Sequence, residues 1–167
     1  MKKLLIFLLL IPLISNAQCG YVLKNGVSYK IPCDYDYLSF HEDTLRFQES
    51  LFIEFINIER KKRNLSPLVY DESLYTNVAI SQAVRMSQES QVSHTKENVY
   101  ECCTSIYYLY KSTDLSLDAI KIFKSSESHW NYLMLPSITK IAVRIEIDKN
   151  NSTKHSGKVY MSVVMNS

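Results

Sequence analysis

Apolar residues recur at helical spacing through the middle of the chain and at strand spacing near its end. A helical pattern runs from about Thr44 to the break at Asn64-Leu65-Ser66-Pro67. Between Ile141 and Asp148, and again between Val159 and Val163, large apolar residues alternate with small or polar ones, as in strands that bury one face. Helices followed by such a pair of strands predict one α+β domain in which helices cover an antiparallel sheet.

Two further helices are predicted between these segments. Asp71 is suited to be the N-cap of a helix that runs to about Glu89, and Ser116 to be the N-cap of a third helix that ends near Ser125. The tyrosine-rich stretch from Tyr100 to Lys111 is compatible with either a strand or a helix. We therefore leave its structure open.

The N-terminus has the pattern of a secretory signal. Lys2 and Lys3 precede an apolar run from Leu4 to Ile14, and Ser15-Asn16-Ala17 places small residues where a signal peptidase cleaves. The run is shorter than the roughly 18 to 20 apolar residues that a membrane span requires. We therefore predict a signal peptide over residues 1–17, no membrane span, and a secreted or periplasmic protein.

The charge balance excludes nucleic acid as an expected partner. The chain has 19 basic and 17 acidic residues, and removal of the two signal-peptide lysines leaves 17 of each. Nucleic-acid binding needs a basic surface that neutralises phosphates, which a neutral chain does not supply. The one basic run, Arg60-Lys61-Lys62-Arg63, is interpreted as the solvent-exposed end of a helix, with a binding patch as the alternative.

A β-hairpin is predicted between the signal peptide and the main domain. Tyr21–Lys24 and Val27–Lys30 flank Asn25-Gly26, and this dipeptide favours the type I′ turn because both central positions need positive φ. We therefore expect a hairpin and connector over residues 18–43 and the main domain over residues 44–167.

The four cysteines of an exported chain indicate disulfides before metal ligation. Cys19 and Cys33 would meet at the open end of the hairpin, so we favour a bridge between them, with lipidation of Cys19 as a lesser alternative. Cys102 and Cys103 are adjacent and could form a vicinal bridge, stay reduced, or pair with the first two cysteines. A reactive or metal-binding Cys102-Cys103 pair is the functional alternative.

Two histidines and nearby carboxylates are the candidate functional residues. His94 and Glu97 lie in Ser93–Val99, and His129 follows the third predicted helix. Imidazole and carboxylate together form either a divalent-metal site, for zinc or a similar cation, or a general acid/base pair. The structural alternative is that His129 lies at a helix end, Glu97 accepts backbone N–H groups, and His94 is exposed to solvent.

Several motifs, taken in order, resemble the CAP superfamily, also called the SCP, pathogenesis-related-1 or cysteine-rich secretory protein family, in a divergent bacterial form. Each motif is weak alone, but their order and spacing are fairly specific. The motifs are Asn57-x-x-Arg60, Leu65-x-Pro67-Leu68 through Asp71 to Leu74, His94, Glu97-Asn98-Val99, Phe123 through His129, and Leu133 through Pro136 followed by Ile141-Ala142-Val143.

The resemblance implies an α-β-α sandwich with a central antiparallel sheet and a cleft where two histidines and two acids meet. His94, Glu97 and His129 fall at three of these four positions. Ser126 occupies the position of the family's second glutamate, and the adjacent Glu127 is the candidate to replace it. The implied metal ligands are therefore His94, Glu97, His129 and Glu127.

Two functions of different classes are consistent with these residues. The resemblance implies a secreted module whose cleft, with or without a divalent ion, binds a small apolar ligand, a carbohydrate or a protein partner, because the family shares a scaffold more than a reaction. The alternative is a metal-assisted or acid/base hydrolase with Glu97 and His129 as catalytic candidates. The sequence contains neither a Gly-x-Ser-x-Gly elbow nor a His-Glu-x-x-His helix to support that alternative.

Overall fold

The chain divides into two compact units, Met1–Tyr35 and Asp36–Ser167. The computed structural model describes residues 21–24, 27–30, 42–109, 114–148, 150–152 and 156–167. In the first unit, β1 (Tyr21–Lys24) pairs antiparallel with β2 (Val27–Lys30), as the hairpin prediction requires. The predicted signal peptide, the Asn25-Gly26 turn, and Cys19 and Cys33 with their predicted bridge lie outside the described residues.

A four-stranded sheet forms the centre of the second unit. Its strands are β3 (Val69–Tyr70), β4 (Tyr100–Leu109), β5 (Lys140–Ile147) and β6 (Ser156–Asn166), in the order β3-β5-β6-β4. β6 pairs antiparallel with both β4 and β5, which confirms the predicted antiparallel sheet, and β3 adds two residues parallel to β5. The segment left open in the sequence is therefore the edge strand β4.

Helices cover both faces of the sheet. α1 (Glu42–Lys61), α4 (Leu115–Ser125) and α5 (Glu127–Leu133) pack on one face, and the segment from Glu72 to Glu89 packs on the other. Because side chains alternate along a strand, β4, β5 and β6 contribute residues to both faces. The core under α1, α4 and α5 contains Val143, Ile145, Met161 and Val163. The opposite face, under the segment from Glu72 to Glu89, buries Ala142, Cys103, Tyr160 and Val164. This is the predicted α-β-α sandwich.

The helical segment on the second face begins at the predicted cap. It consists of α2 (Glu72–Leu74), a π-helical stretch (Tyr75–Ala79) and α3 (Ile80–Glu89). The Asp71 carboxylate accepts a hydrogen bond of 2.9 Å from the backbone N–H of Leu74, which confirms Asp71 as the N-cap. Ser90 ends α3 in the left-handed conformation with φ of 52°, so the chain turns away into the loop before β4.

The prediction of Ser116 as the cap of α4 is wrong. Asp114 is the N-cap, because its carboxylate accepts from the N–H of Leu117 at 3.0 Å. Ser116 lies inside the helix and is fully buried, where its hydroxyl donates to the backbone carbonyl of Gln48 at 2.7 Å. Ser116 therefore connects α4 to α1. The short helix α5 follows directly after α4 and is not predicted by the sequence pattern.

The prediction that the whole basic run is a solvent-exposed helix end is wrong for Arg60. Lys61, Lys62 and Arg63 are exposed, but Arg60 is fully buried. Its guanidinium donates to four backbone carbonyls, at 2.8 Å to Ser66, 2.8 Å to Leu133, 3.0 Å to Leu135 and 3.1 Å to Ile138. Arg60 thus ties the end of α1 to the turn that leads from α5 into β5.

Within the described residues, no helix has the length and apolar character needed to cross a bilayer.

Candidate functional site

A cleft of about 510 Å³ lies beside the edge strand, where the loop before β4 meets α5. The loop contributes His94, Thr95 and Val99, the strand begins with Tyr100 and Glu101, and the helix supplies the remaining wall. The cleft therefore combines segments that are far apart in the sequence. Its lining residues are His94, Thr95, Val99, Tyr100, Glu101, Ser128, His129 and Tyr132.

His94 is held over the cleft by α3 and by a buried acid. Arg85 of α3 donates to the backbone carbonyl of His94 at 2.7 Å, and Gln82 donates to that of Ser93. The Nδ1 atom of His94 lies 3.2 Å from Oε2 of Glu101, while 59% of the His94 side chain stays exposed. The imidazole is thus anchored on one side and open to solvent on the other.

Glu101 is the acid of this cleft, although the sequence motifs point to Glu97 and Glu127 instead. Its carboxylate accepts from the backbone N–H of Thr95 at 2.7 Å, and the hydroxyl of Ser162 lies 3.5 Å from its other oxygen. Only 8% of the residue is exposed. Had Tyr100–Lys111 been recognised as a strand, side-chain alternation would have placed Glu101 on a covered face and so marked it as a candidate. The sequence pattern of this stretch fits a helix equally well.

His129 faces His94 from the opposite wall. The two ring centroids are 6.4 Å apart, and the His129 ring also packs edge-on against the buried Phe123 ring at 5.5 Å. The thiol of Cys102 lies 3.6 Å from the backbone carbonyl of His129, which ties α5 to β4. Burial, and then the nearby His94, hold the pKa of His129 below its ordinary value.

The lowered pKa of His129 predicts a loss of stability in acid. The unfolded imidazole takes up a proton near its ordinary pKa of 6.5, whereas the folded one does so only at lower pH. Between these two values the unfolded chain binds more protons, so the free energy of unfolding should fall as the pH is lowered. Urea unfolding with chelator present, from about pH 7.5 to about pH 5, should show a shallower fall for His129→Gln than for the wild type. If the free energy of unfolding depended on pH equally in the wild type and His129→Gln, this explanation would be contradicted.

Glu97 and Glu127 do not line the cleft. Glu97 is exposed, its backbone N–H donates to the hydroxyl of Thr95 at 3.2 Å, and its carbonyl accepts from Val99 at 3.0 Å. Glu127 is exposed in the first turn of α5. The structure therefore brings the predicted His94 and His129 together, but it brings Glu101 to them rather than either predicted carboxylate.

Cys102 and Cys103 are free thiols that point to opposite faces of β4. Cys102 belongs to the core under α1, α4 and α5, and Cys103 packs with Met86 and Tyr160 on the other face. Burial is the main cause that raises the pKa of both thiols, to about 12 for Cys102. A thiol that stays protonated is a poor nucleophile, so neither cysteine supports the hydrolase hypothesis.

One group of described residues has the chemistry of a metal site. Ligand atoms of His94, Glu101 and Cys103 all lie within 4.8 Å of one another. Glu101 and Cys103 are both buried, and His94 is exposed to the cleft.

Comparison with known proteins identifies the family. The sequence profile of CAP, the cysteine-rich secretory protein family, matches residues 53–165, well over half of the chain. The chain belongs to the CAP family. No curated protein matches this CAP protein.

Two solved structures share the fold of this CAP protein. An outer surface protein from Borrelia burgdorferi has a TM-score of 0.51 and 17% identity, over 71% of this chain and 92% of that one. An extracellular protein containing an SCP domain from Bacillus anthracis has a TM-score of 0.51 and 15% identity, over 76% of this chain and 44% of that one. The CAP protein thus spans less than half of the second relative, and identities this low show the fold alone.

The family motif Asn57-x-x-Arg60 has a structural role in this CAP protein. The Asn57 side chain accepts from the backbone N–H of Leu68 at 2.7 Å and donates to its carbonyl at 3.0 Å. Arg60, one turn later on α1, binds the carbonyl of Ser66. Together the two side chains hold the loop that leads into β3, so the motif supports the fold and does not line the cleft.

Proposed function

We propose that this protein is an exported CAP module that binds a carbohydrate in the cleft between β4 and α5, together with a divalent cation. Export is supported by the secretory pattern of residues 1–17, and the two solved relatives are described as outer surface and extracellular proteins. The observation that carries the proposal is the cleft itself, which is lined by His94, Glu101, His129 and a pair of tyrosine rings.

The lining of the cleft favours a hydroxylated ligand with one apolar face. Tyr100 and Tyr132 place their ring centroids 5.6 Å apart at the cleft, and they are 39% and 41% exposed. Five of the eight lining residues are polar, which suits a sugar better than a purely apolar ligand. A sugar can stack its C–H face on an aromatic ring while a carboxylate and imidazoles bind its hydroxyl groups.

The chemistry of the site fits a divalent cation such as zinc. Glu101 is only 8% exposed, and a buried carboxylate is stabilised by hydrogen bonds and by a nearby positive charge. Among the described residues its ion-pair partner is His94, which is charged only when protonated. A cation held by His94 and Glu101 would neutralise the acid and act as a Lewis acid toward a ligand oxygen.

The carbohydrate proposal is tested by binding of the purified protein to immobilised glycans. We expect concentration-dependent binding to at least one glycan, and Tyr132→Ala should weaken it by about tenfold or more, because an aromatic stacking surface is lost. Tyr107→Ala is the matched control, since Tyr107 is 77% exposed on the same strand as Tyr100 but lies outside the cleft. Equal losses in both variants, or no glycan bound, would contradict the proposal.

A further inference from the structure

The cluster of His94, Glu101 and Cys103 contains a thiol, which is absent from the ligand set that the resemblance implies. We propose that Cys103 supplies a thiolate ligand to the divalent cation, beside His94 and Glu101, and that the site therefore prefers zinc-like cations to Mg²⁺ or Ca²⁺. Sulfur is a soft ligand that suits zinc, whereas magnesium and calcium prefer oxygen ligands. This inference rests on the cation site of the proposed function.

Strand geometry brings the acid and the thiol together. Glu101 and Cys103 are two residues apart on β4, so their side chains point to the same face of the sheet, toward α3. Their ligand atoms and that of His94 lie within 4.8 Å of one another. Zinc bonds of about 2.0 to 2.3 Å place neighbouring ligands roughly 3.3 to 3.8 Å apart, so at most about 1 Å of closure is needed. The exposed His94 side chain has the freedom to supply that movement.

Binding of a cation by Cys103 would require its thiol to lose a proton. The Cys103 sulfur lies within 4.8 Å of a Glu101 carboxylate oxygen, and Gln82 of α3 donates toward the sulfur at 3.9 Å. On coordination the S–H bond breaks, a sulfur–metal bond forms, and the proton passes to solvent, with no change in oxidation state. A bound cation deprotonates a coordinating thiol and neutralises the buried carboxylate at once. Both buried groups then have a charged partner.

His129 is not part of this cluster. It lines the opposite wall, with its ring centroid 6.4 Å from that of His94, and its ligand atoms are not among those that lie within 4.8 Å of one another. With Cys103 as the third ligand, His129 stays available to contact a ligand in the cleft. The metal ligands would then be one histidine, one carboxylate and one thiolate.

The test is a titration of the purified, reduced protein with Co²⁺ as a spectroscopic probe, followed by competition with Zn²⁺. We expect a near-ultraviolet thiolate-to-cobalt charge-transfer band that is lost in Cys103→Ser and Cys103→Ala. Zinc affinity should fall by more than about tenfold in both variants, since losing even an outer-shell partner of a metal ligand costs that much. Cys102→Ser is the matched control, because Cys102 points to the opposite face of the strand.

Retention of the band in Cys102→Ser and its loss in every folded Cys103 variant would support the proposal. Circular dichroism identifies which variants are folded. Cobalt binding without a thiolate band, or a band that persists in a Cys103 variant, would overturn the thiolate ligand and leave the cation site standing. Absence of any cobalt or zinc binding by the wild type would overturn both this inference and the cation part of the proposed function.

Discussion

Replacing Arg60 with methionine is expected to lower the free energy of unfolding by about 3 to 5 kcal/mol. Arg60 is fully buried and donates to four carbonyls, of which those of Leu133 and Ile138 are reached by buried hydrogen bonds. Methionine fills similar space but donates nothing, so each carbonyl left unpaired in the interior costs about 1 to 3 kcal/mol. Urea unfolding near neutral pH would measure the loss.

Neighbouring basic residues provide the control for Arg60. Lys61→Met replaces an exposed cation on the same helix, and we expect a change within about 0.5 kcal/mol. Arg60→Lys keeps the charge but loses the planar set of donors, so its cost should lie between the other two. A loss below about 1 kcal/mol in Arg60→Met would mean that the turn after α5 finds other partners for its carbonyls.

Removal of either the imidazole of His94 or the charge of Glu101 is expected to weaken zinc binding by about a hundredfold or more, because each is a proposed direct ligand. Calorimetric titration of zinc into the wild type, His94→Ala and Glu101→Gln would measure the effect. Glutamine has nearly the shape of glutamate and can still accept from the backbone N–H of Thr95, so the loop should keep its conformation.

The two carboxylates predicted from the sequence are the controls for this experiment. Glu97→Gln and Glu127→Gln remove exposed charges outside the cleft, and their effect on zinc affinity should be less than about threefold because solvent screens them. Loss of binding in Glu97→Gln with binding retained in Glu101→Gln would instead support the ligand set that the resemblance implies. No heat from the wild type would remove the cation from the proposed function.

Local sequence signals predicted much of the fold correctly. Asp71 caps its helix because an N-cap needs only its own side chain and the next turn. The alternation in β5 and β6 identifies strands because side chains two residues apart share a face. Asp114 was missed because serine and aspartate are nearly equal as N-caps, and only the contact of Ser116 with Gln48 distinguishes them.

The acid of the cleft could not be identified in the same way. Glu97 lies in the family motif and was predicted to be a ligand, but its backbone forms a turn that leaves it exposed. Glu101 lies in a stretch whose periodicity was ambiguous. Its position follows from the register of β4 on β6, which places Glu101 opposite Val164 and turns its side chain toward α3.

By itself, the sequence determined the three longer helical segments, the alternating strands β5 and β6, the family motifs and two histidines of the cleft, because each is recognised from residues within a few positions of one another. Tertiary structure alone decided that Arg60 is buried, that Glu101 is the acid beside His94, and that Cys103 lies next to both. Each of these depends on contacts between distant segments, whose register and packing no local pattern specifies.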